Sequence, residues 1–399
     1  MKKIGICTLY YQNRNYGANL QAYALRYTLE KLGVNAELVP YYYRTRVRRL
    51  LSSIKQSLKK NSISKNVEKR NRVIDKFNNL IPHSKVYYSN TIHKANKYYD
   101  CFITGSDQVW NPDWINKYLS LDFVEDGKVT ASYAASTGKV NLNVSEQQKL
   151  KRALNNTKYI SIRENESIAS LQKLTDKPII NVLDPTLLLS RSEWDEICSD
   201  RIITDNYLFC YFLGDNEHLR ELAYECARKN GLKVVTLPYL NLTYRSVDEG
   251  FGDYALFNVS PNDFLSLIKY ASFIITDSFH ASVFSHIFER PFVVSGKKEN
   301  EMGCRLKSLT DMFNTQSHYF VDHEMVTVDK IDEFNCELQI CDNTTYQKMK
   351  EISINFLKMV INDGQFDLLI TAANLIISGL VPTIINNFNL PFSCHLTFE

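Results

Sequence analysis

The chain has 399 residues, of which 44% are hydrophobic and 23% are charged, as in a soluble globular protein with a sizeable core. This length predicts two domains or one large domain. Nine cysteines are scattered without a CxxC pair, which argues against a disulfide framework or a zinc site and favours reduced thiols in a cytosolic protein.

Positive charge is concentrated in one segment of the chain. The formal net charge is only +3, but residues 44–76, the basic segment, contain twelve Lys and Arg against two acidic residues. A basic amphipathic helix here would suit peripheral contact with an anionic membrane surface, and a solvated surface helix is the alternative. No nucleic-acid motif accompanies the charge, so we do not expect DNA or RNA as a partner. Within the basic segment, the apolar residues whose spacing would form one face of such a helix are Val47, Leu50, Leu51, Ile54 and Leu58.

The first half of the chain alternates predicted strands and helices. KKIGICTLYY predicts a first buried strand rather than a signal peptide, because polar QNRN follows it. GANLQAYALRYTLEKLG predicts a helix that ends at Gly33, and NAELVPYYY predicts a second strand. Further strands are predicted at DCFITGS, KVTASYAAST, KYISIRE and PIINVLDPT. Further helices are predicted at SEQQKLKRALNN, NESIASLQKL and residues 191–197.

A second series of the same kind follows a polar boundary at CSDRIITDN. Its predicted strands are YLFCYFLG, KVVTLPY, SFIITDS and PFVVSG, and its predicted helices are NEHLRELAYECARKNG, SPNDFLSLIKYA and FHASVFSHIFE. Ser260 is the predicted N-cap of the second of these helices, with Pro261 at its first position. A helix over residues 344–362 is predicted to close the fold.

Apolar strands that alternate with helices are typical of α/β proteins with parallel sheets covered on both faces. Two such series predict two Rossmann-like domains that face each other across a cleft. We expect an N-terminal domain over residues 1–198 with the basic segment as an insert, and a C-terminal domain with the closing helix over 205–365. The tail over 366–399 has no charge from Leu368 to Cys394. We expect it to be interfacial or partly disordered, with a membrane-spanning helix as the alternative.

Polar side chains follow several predicted strands, at the edge where open parallel sheets bind ligands. His280, with Asp277 and Ser278, follows SFIITD at the start of a helix. It is either a tunable proton donor or a core histidine bonded to a backbone carbonyl. Arg163 follows YISI and either grips a carboxylate or phosphate or forms a salt bridge that caps the next helix. The basic residues after PFVVSG either hold an anion near His280 or line a solvated loop; they are Lys297, Lys298 and Arg305.

Two further loops combine polar residues with a glycine or an aromatic residue. NRNYGANLQAY opens the first helix and is suited to anions or sugar hydroxyls, with a tight turn that requires Gly17 as the alternative. It is not a GxGxxG motif. TGSDQVWNP places hydroxyl, carboxylate, amide and indole groups in one turn, as sugar sites do. The alternative for this loop is a capped turn with Trp110 buried.

Six motifs occur in order over residues 1–320: NYGANLQAYAL, GSDQVWNP, SYAASTG, SIRENES, DPTLLL and TDSFHASVFS. On these motifs the chain resembles the polysaccharide pyruvyl transferase family. The resemblance implies an enzyme built as a GT-B-like pair of Rossmann domains. From the cysteine pattern we expect it in the cytoplasm, where the basic segment would contact the inner face of the membrane. The resemblance also implies transfer of the pyruvyl group of phosphoenolpyruvate to a sugar of a surface polysaccharide or its lipid-linked precursor. The implied product is a ketal across two hydroxyls, with phosphate released, and we expect neither a cofactor nor a metal.

The resemblance also implies roles for individual residues. By the family pattern, the histidine of SFHA is the general acid and the arginine after the SI strand binds the donor, which map to His280 and Arg163. Asp277 and Asp107 are candidates for the base or for an orienting group. The other expected donor contacts are Ser278, Lys297, Lys298 and Arg305. The expected acceptor contacts are Asn13, Asn15, Tyr16, Gly17, Asn19, Ser106, Asp107, Gln108 and Trp110.

Two other functions remain open from the sequence. The fold permits a GT-B glycosyltransferase that uses a nucleotide sugar, although the second half of the chain has no clear nucleotide-binding motif. A non-catalytic glycan-binding protein is the second alternative. The absence of His280 or Arg163 would have favoured that alternative, and both residues are present.

Overall fold

A computed structural model describes residues 2–45, 62–239, 245–296, 302–329 and 344–363. Within these ranges the chain forms two six-stranded sheets and one two-stranded sheet, and all strand pairs in them are parallel. Several predicted features lie outside the described residues. These are Lys297 and Lys298, residues 46–61 of the basic segment and the tail over 366–399.

The first half of the chain supplies eight of the described strands. They are Lys3–Cys7 (β1), Asn35–Leu38 (β2), Tyr41–Tyr42 (β3), Tyr87–Tyr88 (β4), Cys101–Asp107 (β5), Val129–Ala135 (β6), Tyr159–Ile162 (β7) and Ile179–Asn181 (β8). The first large sheet has the order β2-β1-β5-β6-β7-β8, and β3 pairs with β4 in the small sheet. The predicted strand NAELVPYYY is therefore split between two sheets. Pro40 lies at the break, where it has no backbone N–H to continue the ladder.

The second half supplies the other large sheet. Its strands are Tyr207–Tyr211 (β9), Lys233–Thr236 (β10), Tyr254–Ala255 (β11), Phe273–Thr276 (β12), Phe292–Ser295 (β13) and Tyr319–Phe320 (β14). Their order is β11-β10-β9-β12-β13-β14. The strand order reverses between β1 and β5 in the first sheet and between β9 and β12 in the second. Ligands of doubly wound sheets bind at such reversals, beyond the carboxyl ends of the strands.

Several of the described helices begin at polar caps. The described helices are Tyr16–Lys31 (α1), Ser62–Leu80 (α2), Val144–Asn156 (α3), Ile168–Gln172 (α4), Arg191–Asp195 (α5), Glu217–Asn230 (α6), Pro261–Lys269 (α7), Phe279–Ile287 (α8), Met302–Met312 (α9) and Thr344–Ile361 (α10). The N-cap Ser260 and the proline at the start of α7 are as predicted. No helix in these ranges is long and apolar enough to cross a membrane.

The closing helix α10 follows the second sheet in sequence but packs on elements of the first half. The Tyr346 hydroxyl donates to the Leu187 carbonyl at 2.8 Å, and the Ser353 hydroxyl accepts from the Leu183 N–H at 2.9 Å. The chain therefore returns across the boundary between its halves after β14. The domain ranges 1–198 and 205–365 stay a proposal, in which α10 belongs to the second range by sequence and contacts the first in space.

Residues 62–76 of the basic segment belong to α2, which packs against other parts of the protein. Ile74 and Phe77 are buried, and the Phe77 ring lies against Tyr23 of α1 (centroids 6.0 Å apart). These apolar side chains pack against other elements of the protein and do not form a free membrane-binding face. The apolar positions on which the membrane prediction depends, Val47 to Leu58, lie outside the described residues.

Candidate active site

The N-termini of α1 and α8 meet where the two large sheets face each other. Helix α1 follows β1, and α8 follows β12, so each helix starts at the crevice of its own sheet. The Tyr16 hydroxyl at the start of α1 donates a hydrogen bond to the Val259 carbonyl at 3.1 Å, and its ring stacks on Phe264 with centroids 4.8 Å apart. Tyr16 is buried by these contacts and joins the two halves of the chain.

His280 is the second residue of α8, and its ring lies against the first turn of α1. A Cβ atom on Gly17 would stand 2.0 Å from His280 Nδ1 and 2.2 Å from His280 Cγ, so only glycine leaves room for this ring. Ser278 caps α8 by accepting a hydrogen bond from the Ala281 N–H. His280 is 7% exposed, and its Nε2 has no hydrogen-bond partner among the described residues. A fully bonded core histidine would not leave this nitrogen free.

Arg163 follows β7 and is held by three carboxylates. Its Nη1 donates to Asp184 Oδ2 at 2.7 Å, its Nε donates to Glu164 Oε1 at 2.9 Å, and its Nη2 lies 3.6 Å from Asp107 Oδ1. Burial lowers the pKa of Arg163, but the three carboxylates outweigh burial and hold the pKa above its usual value. The guanidinium therefore stays cationic, and its Nη2 has no hydrogen-bond partner in the described ranges.

Asp184 connects His280 to Arg163, although the sequence analysis did not single it out. It belongs to the DPTLLL motif beyond β8, and its Oδ2 lies 3.8 Å from His280 Nε2. Thr186 donates to its Oδ1 from the backbone at 3.0 Å and from the hydroxyl at 2.7 Å. Burial raises the pKa of this carboxyl, but the nearby His280, Arg163 and Thr186 outweigh burial and hold the pKa well below its usual range. The 3.8 Å separation from His280 is too long for a hydrogen bond, so we attribute this effect mainly to Arg163 and Thr186.

Arg305 reaches the same region from α9. In the amide orientation that satisfies Gln108, the Gln108 oxygen accepts hydrogen bonds from Arg305 Nη2 at 3.1 Å and Nη1 at 3.3 Å. Burial lowers the pKa of Arg305, and the positive charge of Arg163 lowers it further. The two guanidinium groups contact adjacent residues, Asp107 and Gln108, which places both in the same part of the site. Arg305 Nε has no hydrogen-bond partner in the described part of the chain.

Glu164 is a second site residue that the sequence analysis left without a role. Its side chain is 6% exposed, its Oε1 pairs with Arg163, and its Oε2 has no hydrogen-bond partner among the residues described. Buried polar atoms are nearly always bonded in native proteins, so each exception needs an explanation. Four such atoms occur in one group of residues, the central cluster, which consists of Arg163, Glu164, Asp184, His280 and Arg305. The four atoms are Arg163 Nη2, Glu164 Oε2, His280 Nε2 and Arg305 Nε.

Asp277 is turned toward the loop after β9. Its carboxylate accepts hydrogen bonds from the Leu213 N–H at 2.6 Å, the Gly214 N–H at 2.7 Å and Asn216 Nδ2 at 2.6 Å. Burial raises its pKa, and these three donors offset part of that effect. The contacts favour an orienting role for Asp277 over that of a base. Its place in the reaction stays a prediction.

The asparagines of the first polar loop bond to one another and to the backbone. Asn13 Oδ1 accepts from the Asn15 N–H at 3.0 Å, and Asn15 Oδ1 caps α1 by accepting from the Ala18 N–H at 3.3 Å. Asn19 Nδ2 donates to the carbonyls of Asn13 and Asn15. These bonds build the turn that positions Gly17 against His280. Acceptor contact by these asparagines remains a prediction.

The second polar loop, TGSDQVWNP, contacts the central cluster through some of its residues but not through Trp110. Ser106 is buried, and its hydroxyl donates to the Ala134 carbonyl at 2.9 Å and lies 3.4 Å from Asp184 Oδ2. The ring of Trp110 is fully buried in the core and presents no face to a sugar. This burial corrects the expected acceptor contact at Trp110. The exposed indole of this loop region is Trp114, at 45%.

Solved structures of similar overall fold include UDP-N-acetylglucosamine 2-epimerases. S. aureus MnaA in a UDP co-structure gives a TM-score of 0.55 at 12% identity, with 91% of this chain and 97% of that chain covered. UDP-N-acetylglucosamine 2-epimerase from Rickettsia bellii gives 0.53 at 12% identity, with 92% and 98% covered. The UDP-GlcNAc 2-epimerase from Methanocaldococcus jannaschii gives 0.51 at 11% identity, with 90% and 99% covered. At these identities the likeness concerns the fold alone, and it confirms the GT-B-like class.

The family of the chain follows from its sequence. No curated protein matched the chain. Residues 15–296 match the family model described as polysaccharide pyruvyl transferase. This range contains Gly17, Arg163, Asp184 and His280, and it covers more than half of the 399 residues. The chain therefore belongs to the polysaccharide pyruvyl transferase family.

Proposed function

We propose that this protein transfers the pyruvyl group of phosphoenolpyruvate to two hydroxyls of a glycan, as a ketal, with release of phosphate. The acceptor would be a surface polysaccharide or its lipid-linked precursor. The observation that supports this reaction most directly is the central cluster. Two buried arginines and one buried histidine each leave a nitrogen without a hydrogen-bond partner among the described residues. The scattered cysteines support a reducing, cytoplasmic location.

The unpartnered nitrogens suit the donor because phosphoenolpyruvate carries a carboxylate and a phosphate. Arginine binds both groups with directed hydrogen bonds, so Arg163 and Arg305 are our donor ligands. The methylene carbon of the donor must gain a proton before its neighbouring carbon can accept a hydroxyl. His280 Nε2 is the candidate for this proton transfer, and Asp184 stabilises the protonated ring from 3.8 Å. Asp184 is thus a positioning residue in this scheme.

Two rival functions share the fold. A GT-B glycosyltransferase would bind a nucleotide sugar, and one structural neighbour is by its title a complex with the nucleotide UDP. A glycan-binding protein would have no use for a buried His280 with a free nitrogen. The charge and the unpartnered atoms of the central cluster favour pyruvyl transfer over both.

The first test is the thermal stability of the purified protein with phosphoenolpyruvate and, separately, with UDP- and GDP-sugars. A ligand at 100 times its dissociation constant stabilises the folded state by about 2.7 kcal/mol, which moves the unfolding midpoint visibly. We expect a shift with phosphoenolpyruvate alone. The shift should be lost in Arg163→Lys, because lysine cannot replace the fork of N–H donors, and retained in Arg152→Lys, whose side chain is exposed on α3.

The second measurement separates binding from chemistry. His280→Gln should still shift with phosphoenolpyruvate but should release phosphate roughly 100-fold or more slowly than the wild type, because a proton donor is missing. A midpoint shift with nucleotide sugars only would defeat pyruvyl transfer and support the glycosyltransferase. Wild-type turnover in His280→Gln would remove the histidine from the reaction.

A further inference from the structure

Within the described part of the chain, Glu164 carries the one unpartnered oxygen of the central cluster. The other three unpartnered atoms are nitrogens. Its Oε1 is fixed by Arg163 Nε at 2.9 Å, which holds the carboxylate plane and leaves Oε2 as the available atom. The side chain is almost fully buried, so bulk water does not satisfy this oxygen.

The other carboxylates near the cleft are less available. Asp184 is fully buried and already bonds to Thr186 and Arg163. Asp277 accepts three hydrogen bonds from the loop after β9. Asp107 has an 18% exposed side chain near Arg163 and is the remaining rival. Glu164 differs from all three because it combines burial with an unsatisfied oxygen.

The chemistry of the missing partner follows from the donor and acceptor balance of the cluster. An anion such as phosphoenolpyruvate supplies acceptors for the unpartnered N–H groups of Arg163 and Arg305. It has no hydrogen to donate to Glu164 Oε2 when it is fully ionised. A hydroxyl does have one. We propose that Glu164 binds the attacking hydroxyl of the glycan acceptor and takes its proton, an inference that rests on the proposed function.

The proton transfers in this scheme balance. His280 gives its proton to the methylene carbon of phosphoenolpyruvate, and the first hydroxyl oxygen bonds to the adjacent carbon while its proton passes to Glu164 Oε2. The bond between that carbon and the phosphate oxygen then breaks, and phosphate leaves with the electron pair and takes the proton from Glu164. The second hydroxyl oxygen bonds to the same carbon and closes the ketal, and its proton restores protonated His280.

The experiment compares Glu164→Gln with the wild type in two assays. Calorimetry measures phosphoenolpyruvate binding. Phosphate release is measured at saturating phosphoenolpyruvate with water alone and with nitrophenyl glucosides, galactosides and mannosides as acceptors. Glutamine keeps an oxygen for Arg163 and removes one negative charge near the donor. We therefore expect phosphoenolpyruvate binding equal to or tighter than wild type, with phosphate release lowered roughly 100-fold or more.

Two other carboxylates serve as comparisons. Glu225→Gln changes an exposed carboxylate of α6 and should leave both assays at wild-type values. Asp107→Asn tests the rival base, and asparagine tolerates the left-handed backbone at this position (φ 66°). Much weaker phosphoenolpyruvate binding in Glu164→Gln, or phosphate release close to wild type, would overturn the role of Glu164. A wild-type protein that neither binds phosphoenolpyruvate nor releases phosphate would instead defeat the proposed function.

Discussion

The contact between Gly17 and His280 ties a single glycine to the chemistry of the site. Gly17 lies in the first turn of α1, where most residues would fit the backbone, and its φ is not in the left-handed region. The reason for glycine is the neighbour: an added Cβ would overlap the imidazole at 2.0 Å from Nδ1. The sequence suggested an anion-binding loop or a tight turn at this position. The structure supplies a third reason, which is close packing between the two halves of the chain.

This contact predicts that the effect of Gly17→Ala on the free energy of unfolding depends on whether the His280 ring is present. Gly17→Ala should destabilise the wild type by about 1–3 kcal/mol, because the methyl group forces the ring to move. In the His280→Ala background the ring is absent, and the same change should be neutral or stabilising by up to about 1 kcal/mol, since alanine favours a helix over glycine. Urea unfolding of the four proteins measures both steps. Equal costs in the two backgrounds would show that Gly17 is required for another reason.

At the scale of elements, α8 carries two histidines with opposite environments. His280 faces the cleft at its N-terminus, whereas His286 near its C-terminus is buried in the core. His286 Nδ1 donates to the Ser282 carbonyl at 2.8 Å, and its Nε2 accepts from the Thr315 hydroxyl at 2.9 Å. This bonding pattern fits the neutral ring. Burial, with a smaller contribution from the nearby His318, outweighs the hydrogen bond to Ser282 and lowers the pKa of His286 to about 3.

The low pKa of His286 predicts loss of stability in acid. The ring is neutral in the folded protein, but an unfolded chain binds a proton below the usual pKa of 6.5. The contribution of the neutral His286 ring to the stability of the fold is therefore complete above pH 6.5 and is lost as the pH falls toward 3. Between pH 6.5 and 5 the free energy of unfolding should fall by about 2 kcal/mol from this group.

Urea unfolding at several pH values checks the prediction. His286→Gln should be less stable than the wild type at neutral pH but should show a smaller loss between pH 6.5 and 5. The pKa of His318 is also lowered by burial, so a slope of the same sign remains in the variant. His93→Gln, which changes a histidine with an exposed side chain, is the control and should keep the wild-type slope. Identical slopes in His286→Gln and the wild type would contradict a neutral buried ring.

The rule that ligands bind beyond the carboxyl ends of parallel strands predicted much of the site, because it depends only on the order of strands and helices. Arg163 follows β7 and His280 follows β12, so alternating apolar runs were enough to place both residues at facing sheet edges. The rule does not tell where a side chain points. Asp277 turns to residues 61–64 positions earlier in the chain, and Trp110 turns into the core. Asp184 meets Arg163 across 21 positions, a contact that no local pattern in the sequence reveals.

At the scale of the whole molecule, one arginine of the basic segment joins the two halves. Arg70 of α2 is buried and donates to three carbonyls of the second half: Pro238 at 2.7 Å, Leu256 at 3.1 Å and Phe257 at 3.3 Å. These carbonyls lie beside the ends of β10 and β11. Arg70 belongs to a segment whose charge predicts a surface helix, but its side chain acts as a clamp between the two halves of the chain. We therefore expect the orientation of the sheets that brings Gly17 to His280 to depend in part on this clamp.

Replacement of Arg70 by lysine should weaken that clamp without removing its charge. A single ammonium group cannot reach three carbonyls in the arrangement that the planar guanidinium spans, so we expect a cost on the order of 3 kcal/mol. Arg72 lies on the same helix with an exposed side chain, and Arg72→Lys should change stability by less than about 0.5 kcal/mol.

Hydrogen exchange tests where in the molecule the clamp acts, because its contacts run between the two halves. In Arg70→Lys the amides around residues 237–239 and 255–259 should exchange faster, and so should the first turn of α1, which packs against Val259 and His280. Faster exchange confined to α2 would mean that Arg70 stabilises its own helix only, and that Tyr16 and the apolar contacts align the two sheets without it.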